Sequence, residues 1–501
     1  MLTPRLERVD RRRDLSLTQQ LVDVFVAAIE EGELSAGARL PATRALAQTV
    51  GVNQLTASRV YRRLQEMGLV VSGVGRGTFV REAAALRAGP ARSGGTAWQT
   101  YVVPPERETP AGRMIDDLSR QAFSDELIAL SAGYPPPELY PIPELDAATR
   151  AVLDEEGPDA FGYGPVEGAS DLRHQFAELG RRRALQDDTD CIVVTTGARQ
   201  ALTLATRAIL RPGDSVACES PGFMGVIDAL HAAGANVLPV SVDERGLDID
   251  ALEQLLKRHE IRLIALQSRL QNPTGWDLSE ERRQRLVDLA AQHGFFILED
   301  SVYADLRLEG NGAPSLRALD PDHVIAVDSL SKTVSPGLRA GWIAASGPVL
   351  DRLVAEKRND DMHSPTLTQR IVARYLASGH YPTQLQRARQ IHRERREVMM
   401  AAIEHHLGDL VSAPRPAGGA SVWVTMHNAL DEQQLYRNAV AAGVSFTLGS
   451  TMLLERPRAT HLRLSFSFAA PELIEEGVRR LAVVARSMQA DARQRYSMPL
   501  I

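Results

Sequence analysis

From about Ile115 to its end the chain alternates short apolar runs with stretches of helical periodicity. Cys191-Ile-Val-Val-Thr195 is followed by a helical segment from Gln200 and then by a second run at Ser215 to Cys218. The alternation recurs at Leu263 to Gln267, Phe296 to Glu299 and Val324 to Val327. Apolar strands separated by helices fit an α/β domain with a largely parallel sheet. No internal repeat is visible, and 501 residues are too many for one small core.

The N-terminal end follows a different pattern. Leu21, Val24, Phe25, Ala28 and Ile29 recur at helical spacing between Leu17 and Ile29, and Gly32 is a helix stop. Pro41 opens a second helix, about Ala42 to Thr49. The Gly51-Val52 turn then leads through Asn53, a capping residue type, into a third, about Gln54 to Met67. Leu69 to Ser72 and Gly77 to Val80 are β-rich and flank a Gly75-Arg76-Gly77 turn, so a hairpin is expected. Helices joined by a tight turn and followed by a hairpin make a winged helix-turn-helix, whose later helix enters the major groove of double-stranded DNA.

Residues 1–82 hold twelve arginines against nine acidic residues, a net of +3, and leave −9 for the rest of a chain whose net charge is −6. Charge alone fits a solvated surface as well as it fits nucleic acid. Residues 83–117, rich in Ala, Gly, Pro, Ser and Thr, read as a linker between residues 1–82 and a large domain at 118–501. The arginine-dense N-terminus has no apolar core, and no later stretch is long enough to cross a bilayer, so a cytoplasmic protein with no membrane partner is expected. Cys191 and Cys218 are the only cysteines and are expected to be buried thiols. They exclude a disulfide framework and a four-cysteine metal site, and no metal is expected.

Lysine occurs only at 257, 332 and 357, although arginine is abundant. Lys257 falls in a helical segment and Lys357 in a charged run, so both are expected to be solvated. Lys332 stands among small residues in Ser329-Leu-Ser-Lys-Thr-Val-Ser-Pro-Gly-Leu-Arg339, just after an apolar strand. A primary amine, unlike a guanidinium, can form a Schiff base with an aldehyde. Gly197-Ala198-Arg199 opens a helix after a strand, and Ser329, Ser331 and Arg339 add hydroxyl and guanidinium donors, as a phosphate requires. A glycine at such a turn is also common without any ligand.

Two resemblances follow. Leu40-Pro-Ala-Thr-Arg44, Leu46-Ala47, Gly51-Val52, Thr56, Tyr61-Arg62-Arg63-Leu64, Gly68-Leu69 and Gly75-Arg-Gly-Thr-Phe-Val80 resemble the GntR family of bacterial regulators over residues 15–81. The resemblance implies that Arg44, Asn53, Gln54, Thr56 and Arg59 face DNA and that Gly77 lets the wing approach a phosphate. Gln54 and Ser58 stand where members often carry arginine, which leaves base preference open. A helical module that binds protein instead of DNA is the competing reading.

Gln271-Asn-Pro-Thr-Gly275, Glu299-Asp-Ser-Val-Tyr303 and the lysine segment occur in the order of a fold-type I aminotransferase. Residues from about Ile128 to Ala485 resemble the aminotransferase class I/II family, and the fusion resembles the MocR (GntR/aminotransferase) regulators. The cofactor so implied is pyridoxal 5′-phosphate, with Lys332 as its Schiff-base lysine. Asp300 would pair with the pyridine nitrogen, Asn272 and Tyr303 with the phenolic oxygen, and Phe223 would stack on the ring. Asp300 could instead be a turn residue and Phe223 plain core. Tyr163, in Phe161-Gly-Tyr-Gly164, would reach the phosphate of a partner in a homodimer. Arg463, in His461-Leu-Arg-Leu-Ser-Phe466, would hold an α-carboxylate, or else lie on an exposed strand face.

Three functions remain open on these residues: a regulator responding to pyridoxal phosphate and to an amino-acid or amine effector, an active aminotransferase with a DNA-binding head, and a regulator that has lost the cofactor. The intact Lys332, Asp300 and Arg463 set disfavours the last.

Overall fold

Apolar residues three and four apart give α1 (Leu17–Glu30) one continuous face, on which Leu21, Phe25 and Ile29 are buried. The computed structural model describes residues 16–30, 33–34, 38–67, 69–73, 77–80, 109–121, 127–182 and 185–497. It divides into two compact units, Met1–Arg107 and Glu108–Ile501. In the first, α2 (Thr43–Val50) ends at Gly51, whose φ of 68° is left-handed. Asn53 then caps α3 (Gln54–Glu66), its side chain accepting from Thr56 N at 2.7 Å.

Tyr61 meets Phe25 edge-on at 5.8 Å and donates to Pro41 O at 2.5 Å, which ties α3 to α1 and to the start of α2. β1 (Val70–Gly73) and β2 (Gly77–Val80) pair antiparallel with Val70 opposite Val80. The stretch before α2 extends this wing: Leu40 N donates to Thr78 O, and Val80 N to Ala38 O. The expected helices and hairpin are present to within a residue or two, while the centre of the expected 75–77 turn lies outside the described residues. Replacing Asn53 by alanine is expected to cost about 1 kcal/mol of local stability. Faster amide exchange at Thr56 in the full chain checks this; unchanged exchange would show that the cap contributes nothing.

In the second unit the end of the segment expected as linker is a helix, Pro110–Gln121. Ala111 and Met114 are buried in the core, and Thr109 Oγ1 both accepts from Gly112 N at 2.8 Å and bonds Asp228 at 3.0 Å. The short apolar spacing was hidden by the Pro-Ala-Gly composition around it. Residues 83–108 of that segment lie outside the described residues.

β3 (Ile128–Ala129) opens the fold proper. The central sheet contains β4 (Ile192–Thr195), β5 (Ser215–Ser220), β6 (Asn236–Asp243), β7 (Gly246–Leu247), β8 (Ile261–Leu266), β9 (Phe296–Asp300), β10 (Val324–Ser329) and β11 (Gly341–Ala344). Their order is β4-β11-β10-β9-β8-β5-β6-β7. β6, β5, β8, β9 and β10 run parallel, as expected for strands buried on both faces. β11, which the sequence did not disclose, lies antiparallel between β10 and β4. The connection from Ser329 to Gly341 is too short for a helical crossover, so the chain must return antiparallel.

A second sheet, also undisclosed, orders β12 (Val411–Ser412), β13 (Ser421–Met426), β16 (His461–Ser465) and β15 (Thr447–Leu448), while β14 (Val444–Ser445) pairs with β3. The long helices Tyr381–Leu407 and Pro471–Ser497 pack together beside it. One hydrophobic cluster runs from Leu263 and Ile325 of the large sheet to Val422 and Leu462 of the small one. Cys218 is buried as expected, but Cys191 is partly exposed. Among the described residues, no helix is long and apolar enough to cross a membrane.

Candidate functional site

The carboxyl ends of β4, β5, β8, β9 and β10 carry the loops in which the expected residues stand, the position where open α/β sheets bind ligands. Asp300 is the last residue of β9 and is buried. Its carboxylate accepts from Gln267 Nε2 at 2.9 Å and Val302 N at 3.1 Å. Burial pushes it up to about 6 against the pull of those two bonds and of the Lys332 charge. Behind it Glu219, buried and accepting from Gln267 N at 2.9 Å, is pushed up to about 8 by burial. Gln267 thus bridges two buried carboxyls, and its Oε1 also accepts from Asn272 N at 2.8 Å.

Lys332 ends a helical turn directly after β10. Its Nζ donates to Gly133 O at 2.6 Å and lies 5.5 Å from the centroid of the Tyr303 ring. Tyr303, buried, places its hydroxyl 3.4 Å from the same Gly133 carbonyl. Asn272 is buried as well, and its Oδ1 accepts from Arg463 Nη1 at 3.3 Å. Arg463, on β16, also donates to Ser131 O at 2.8 Å and Thr447 Oγ1 at 2.9 Å, while its Nε is buried without a partner. Arg463 therefore points inward, not onto an exposed face. These three acceptors are all neutral, and burial pushes its pKa down.

At the end of β4, Gly197 adopts φ 98° and caps the helix Ala198–Ile209. The Arg339 guanidinium lies over it, so that a Cβ there would fall 3.0 Å from Nη2. Gly341, which pairs with Thr195 at the start of β11, would place a Cβ 2.7 Å from the Gly197 Cα. The free amides of that helix start and the guanidinium form an anion cradle. Ala198 and Arg199 contribute first-turn backbone; the Arg199 side chain turns away, donating to Gly225 O at 2.9 Å and pairing with Asp228. Ser329 Oγ is 2.9 Å from both Ser331 Oγ and Ala340 O, so the two hydroxyls brace the lysine turn.

Phe223 sits half-buried between β5 and the helix Met224–Ala232. Tyr163 is 91% exposed and touches His363 edge-on at 5.5 Å. It is not brought to the other residues within one chain. Lys357, expected to be solvated, is fully buried instead. Its Nζ pairs with Asp361 at 2.5 Å and donates to Ser364 Oγ at 3.1 Å. In the head, Arg44, Gln54 and Arg59 are exposed and Thr56 half-exposed, whereas the Asn53 side chain is engaged in its cap; Gly77 has φ 108° beside the Arg39 guanidinium.

Gly133, Gln267 and Glu219 were not singled out in the sequence. For Gln267 the signal was a polar residue ending the apolar run Leu263 to Leu266. A primary amine, a buried carboxyl and a helix-start cradle fit pyridoxal 5′-phosphate: aldehyde, pyridine nitrogen and phosphate each find their chemical complement.

Residues 125–481 match the family described as Aminotransferase class I and II, and residues 17–80 the family of Bacterial regulatory proteins, gntR family. The chain is 32% identical to the HTH-type transcriptional regulator TauR of Rhodobacter capsulatus over 94% of its own length and 97% of that protein. It is 27% identical to the probable rhizopine catabolism regulatory protein MocR of Rhizobium meliloti, with 94% of each covered. Among solved structures it is similar to the α-aminoadipate aminotransferase LysN of Thermus thermophilus, complexed with N-(5′-phosphopyridoxyl)-L-leucine. The TM-score is 0.70 at 33% identity, covering 75% of this chain and 95% of that one. The fold is thus that of the pyridoxal-phosphate-dependent aminotransferases, and the head is a DNA-binding domain. With a gntR-type head joined to an aminotransferase class I and II domain, the chain belongs to the MocR family.

Proposed function

We propose that this protein is a cytoplasmic, homodimeric transcriptional regulator whose aminotransferase-like domain senses pyridoxal 5′-phosphate together with an amino acid or amine, and whose two heads grip two half-sites of an operator. The strongest support is that the likeness to TauR runs through both units, so the head and the cofactor site belong to one design.

Pyridoxal phosphate supplies an aldehyde that condenses with primary amines and a ring that withdraws electrons. The chain's own residues do the rest. The cradle of Gly197, Ala198, Arg199 and Arg339, with Ser329 and Ser331 bracing the lysine turn, holds the phosphate, and Tyr163 reaches it from the partner. Asp300 pairs with the pyridine nitrogen, Asn272 and Tyr303 bond the phenolic oxygen, and Phe223 covers the ring. Gly133 O keeps the Lys332 amine in place. Arg463, surrounded by neutral acceptors, offers its charge to the carboxylate of an amino acid. An effector that binds one arrangement of the large domain better shifts the spacing of the heads, through which Arg44, Gln54, Thr56, Arg59 and the Gly77 wing meet DNA.

Anisotropy of DNA from upstream of the protein's own gene tests this, with amino acids titrated into the complex. Wild type should bind and respond to one of them. Arg463→Gln should bind DNA equally but need at least ~30-fold more effector, since losing a buried charged pair costs about 2–5 kcal/mol. No binding to that DNA would count against a regulator. The second reading, a working aminotransferase, is favoured by the intact Gln271-Asn272-Pro273-Thr274-Gly275 loop and its contact with Arg463. Rapid multiple turnover with one amino donor would select it.

A further inference from the structure

Four guanidinium groups, those of Arg182, Arg269, Arg307 and Arg389, line a second pocket of about 530 Å³ in the large unit. None of its lining residues is acidic, and none is among the candidate cofactor residues. Yet it is built from the same loops: Arg269 precedes Asn272 by three positions, and Ala304 follows Tyr303.

Arg269 is 5% exposed and donates to Ser301 Oγ at 2.8 Å, which fixes it in the pocket floor. Arg307 is held by Asp277 at 2.5 and 2.6 Å, with its Nε buried and without a partner. Arg389 donates to the Asp305 carbonyl at 2.7 Å. Among the described residues, neither Arg182 nor Arg389 forms an ion pair. Gly310 and Gly312 also line it, and a Cβ at Gly312 would stand 3.2 Å from Arg307 Nε. A larger residue there would crowd the guanidinium, so glycine leaves it room.

Asp277 offsets the charge of Arg307 and Glu299 that of Arg269, so the charges of Arg182 and Arg389 are the ones left to focus a field that attracts anions. Guanidinium forks match the paired oxygens of phosphate and carboxylate groups. We propose that this pocket is a second ligand site, separate from the cofactor's, for a small polyanion bearing phosphate or several carboxylates. It stands whether the protein is a regulator or an enzyme.

Inorganic pyrophosphate is the probe, titrated calorimetrically into cofactor-loaded protein at ionic strength fixed with potassium chloride. Saturable binding at one site per chain is expected, with the cofactor absorbance retained. Arg182→Ala/Arg389→Ala should weaken it at least tenfold. Should the double variant fail to fold, Arg182→Glu, at an exposed position, should weaken binding in the same way. Absence of saturable binding, equal affinity in the variants, or binding that proceeds only with loss of cofactor absorbance overturns the proposal.

Discussion

In Lys332→Ala the visible absorbance of the cofactor-loaded protein is expected to vanish, and cofactor is expected to be lost on dialysis, while the fold survives. The amine stands alone at the end of β10 with one backbone acceptor, Gly133 O. Its removal therefore opens no large cavity and takes from Asp300 a nearby charge but no hydrogen bond, and a stability change within about 1 kcal/mol is expected. Lys332→Arg sharpens the experiment. It keeps a positive charge near Asp300 but cannot supply a primary amine, so the absorbance should be lost there too. Lys357, the other lysine in a protein interior, cannot substitute, because Asp361 and Ser364 hold its amine. An absorbance band that survives Lys332→Ala would remove this lysine from the cofactor's chemistry.

Asp300→Asn is expected to act with opposite signs in the empty and the loaded protein. In the empty protein the folded carboxyl titrates at about 6, against an unfolded value near ~3.9. The folded state therefore holds its proton more tightly. Below about pH 4 both states are protonated and nothing is lost; as pH rises from there to 6 the folded state is penalised, by about 3 kcal/mol at most above 6. Asparagine removes this penalty but cannot accept the bond from Gln267 as well, which takes back about 1 kcal/mol. The empty variant should thus be about 2 kcal/mol more stable than wild type at pH 7.5, an advantage that disappears near pH 4. Loaded with cofactor, the order should reverse if Asp300 pairs with the pyridine nitrogen as proposed, because that anionic partner is gone. Urea unfolding at both pH values, with and without pyridoxal phosphate, reads all four conditions. A less stable empty variant at pH 7.5 would mean that the buried carboxylate is not under strain.

The parts legible in the sequence were those specified locally. β4, β8, β9 and β10 are short runs of Val, Ile, Leu and Phe that only a doubly covered sheet accommodates, and α1 to α3 announce themselves by apolar spacing and by Gly51 and Asn53. Lys332, Asp300 and Arg463 stood out in the sequence by residue type and motif, and the fold brings all three to the carboxyl-end site. What was hidden depends on distance along the chain. Gly133 meets Lys332 across 199 residues, and it acts through a carbonyl that any residue could provide. Gln267 gains its place only when β8 and β9 pair. Lys357 looked like part of a solvated charged run; the i+4 position of Asp361 lets the pair enter the interior together. In the second sheet β12 and β15 are two residues each, too short for an alternation pattern, and β13 and β16 are buried almost throughout and do not alternate.

The contact of Gly341 with Gly197 bears on how this site can diverge. Two backbones meet there with no room for a single carbon between them. In a saturation library both positions should be empty of survivors, although neither carries a functional group. On the proposed reading of this cradle, descendants that drift toward a different anion must do so at Arg339 or at the residues around it, because its floor has no side chain for selection to exchange.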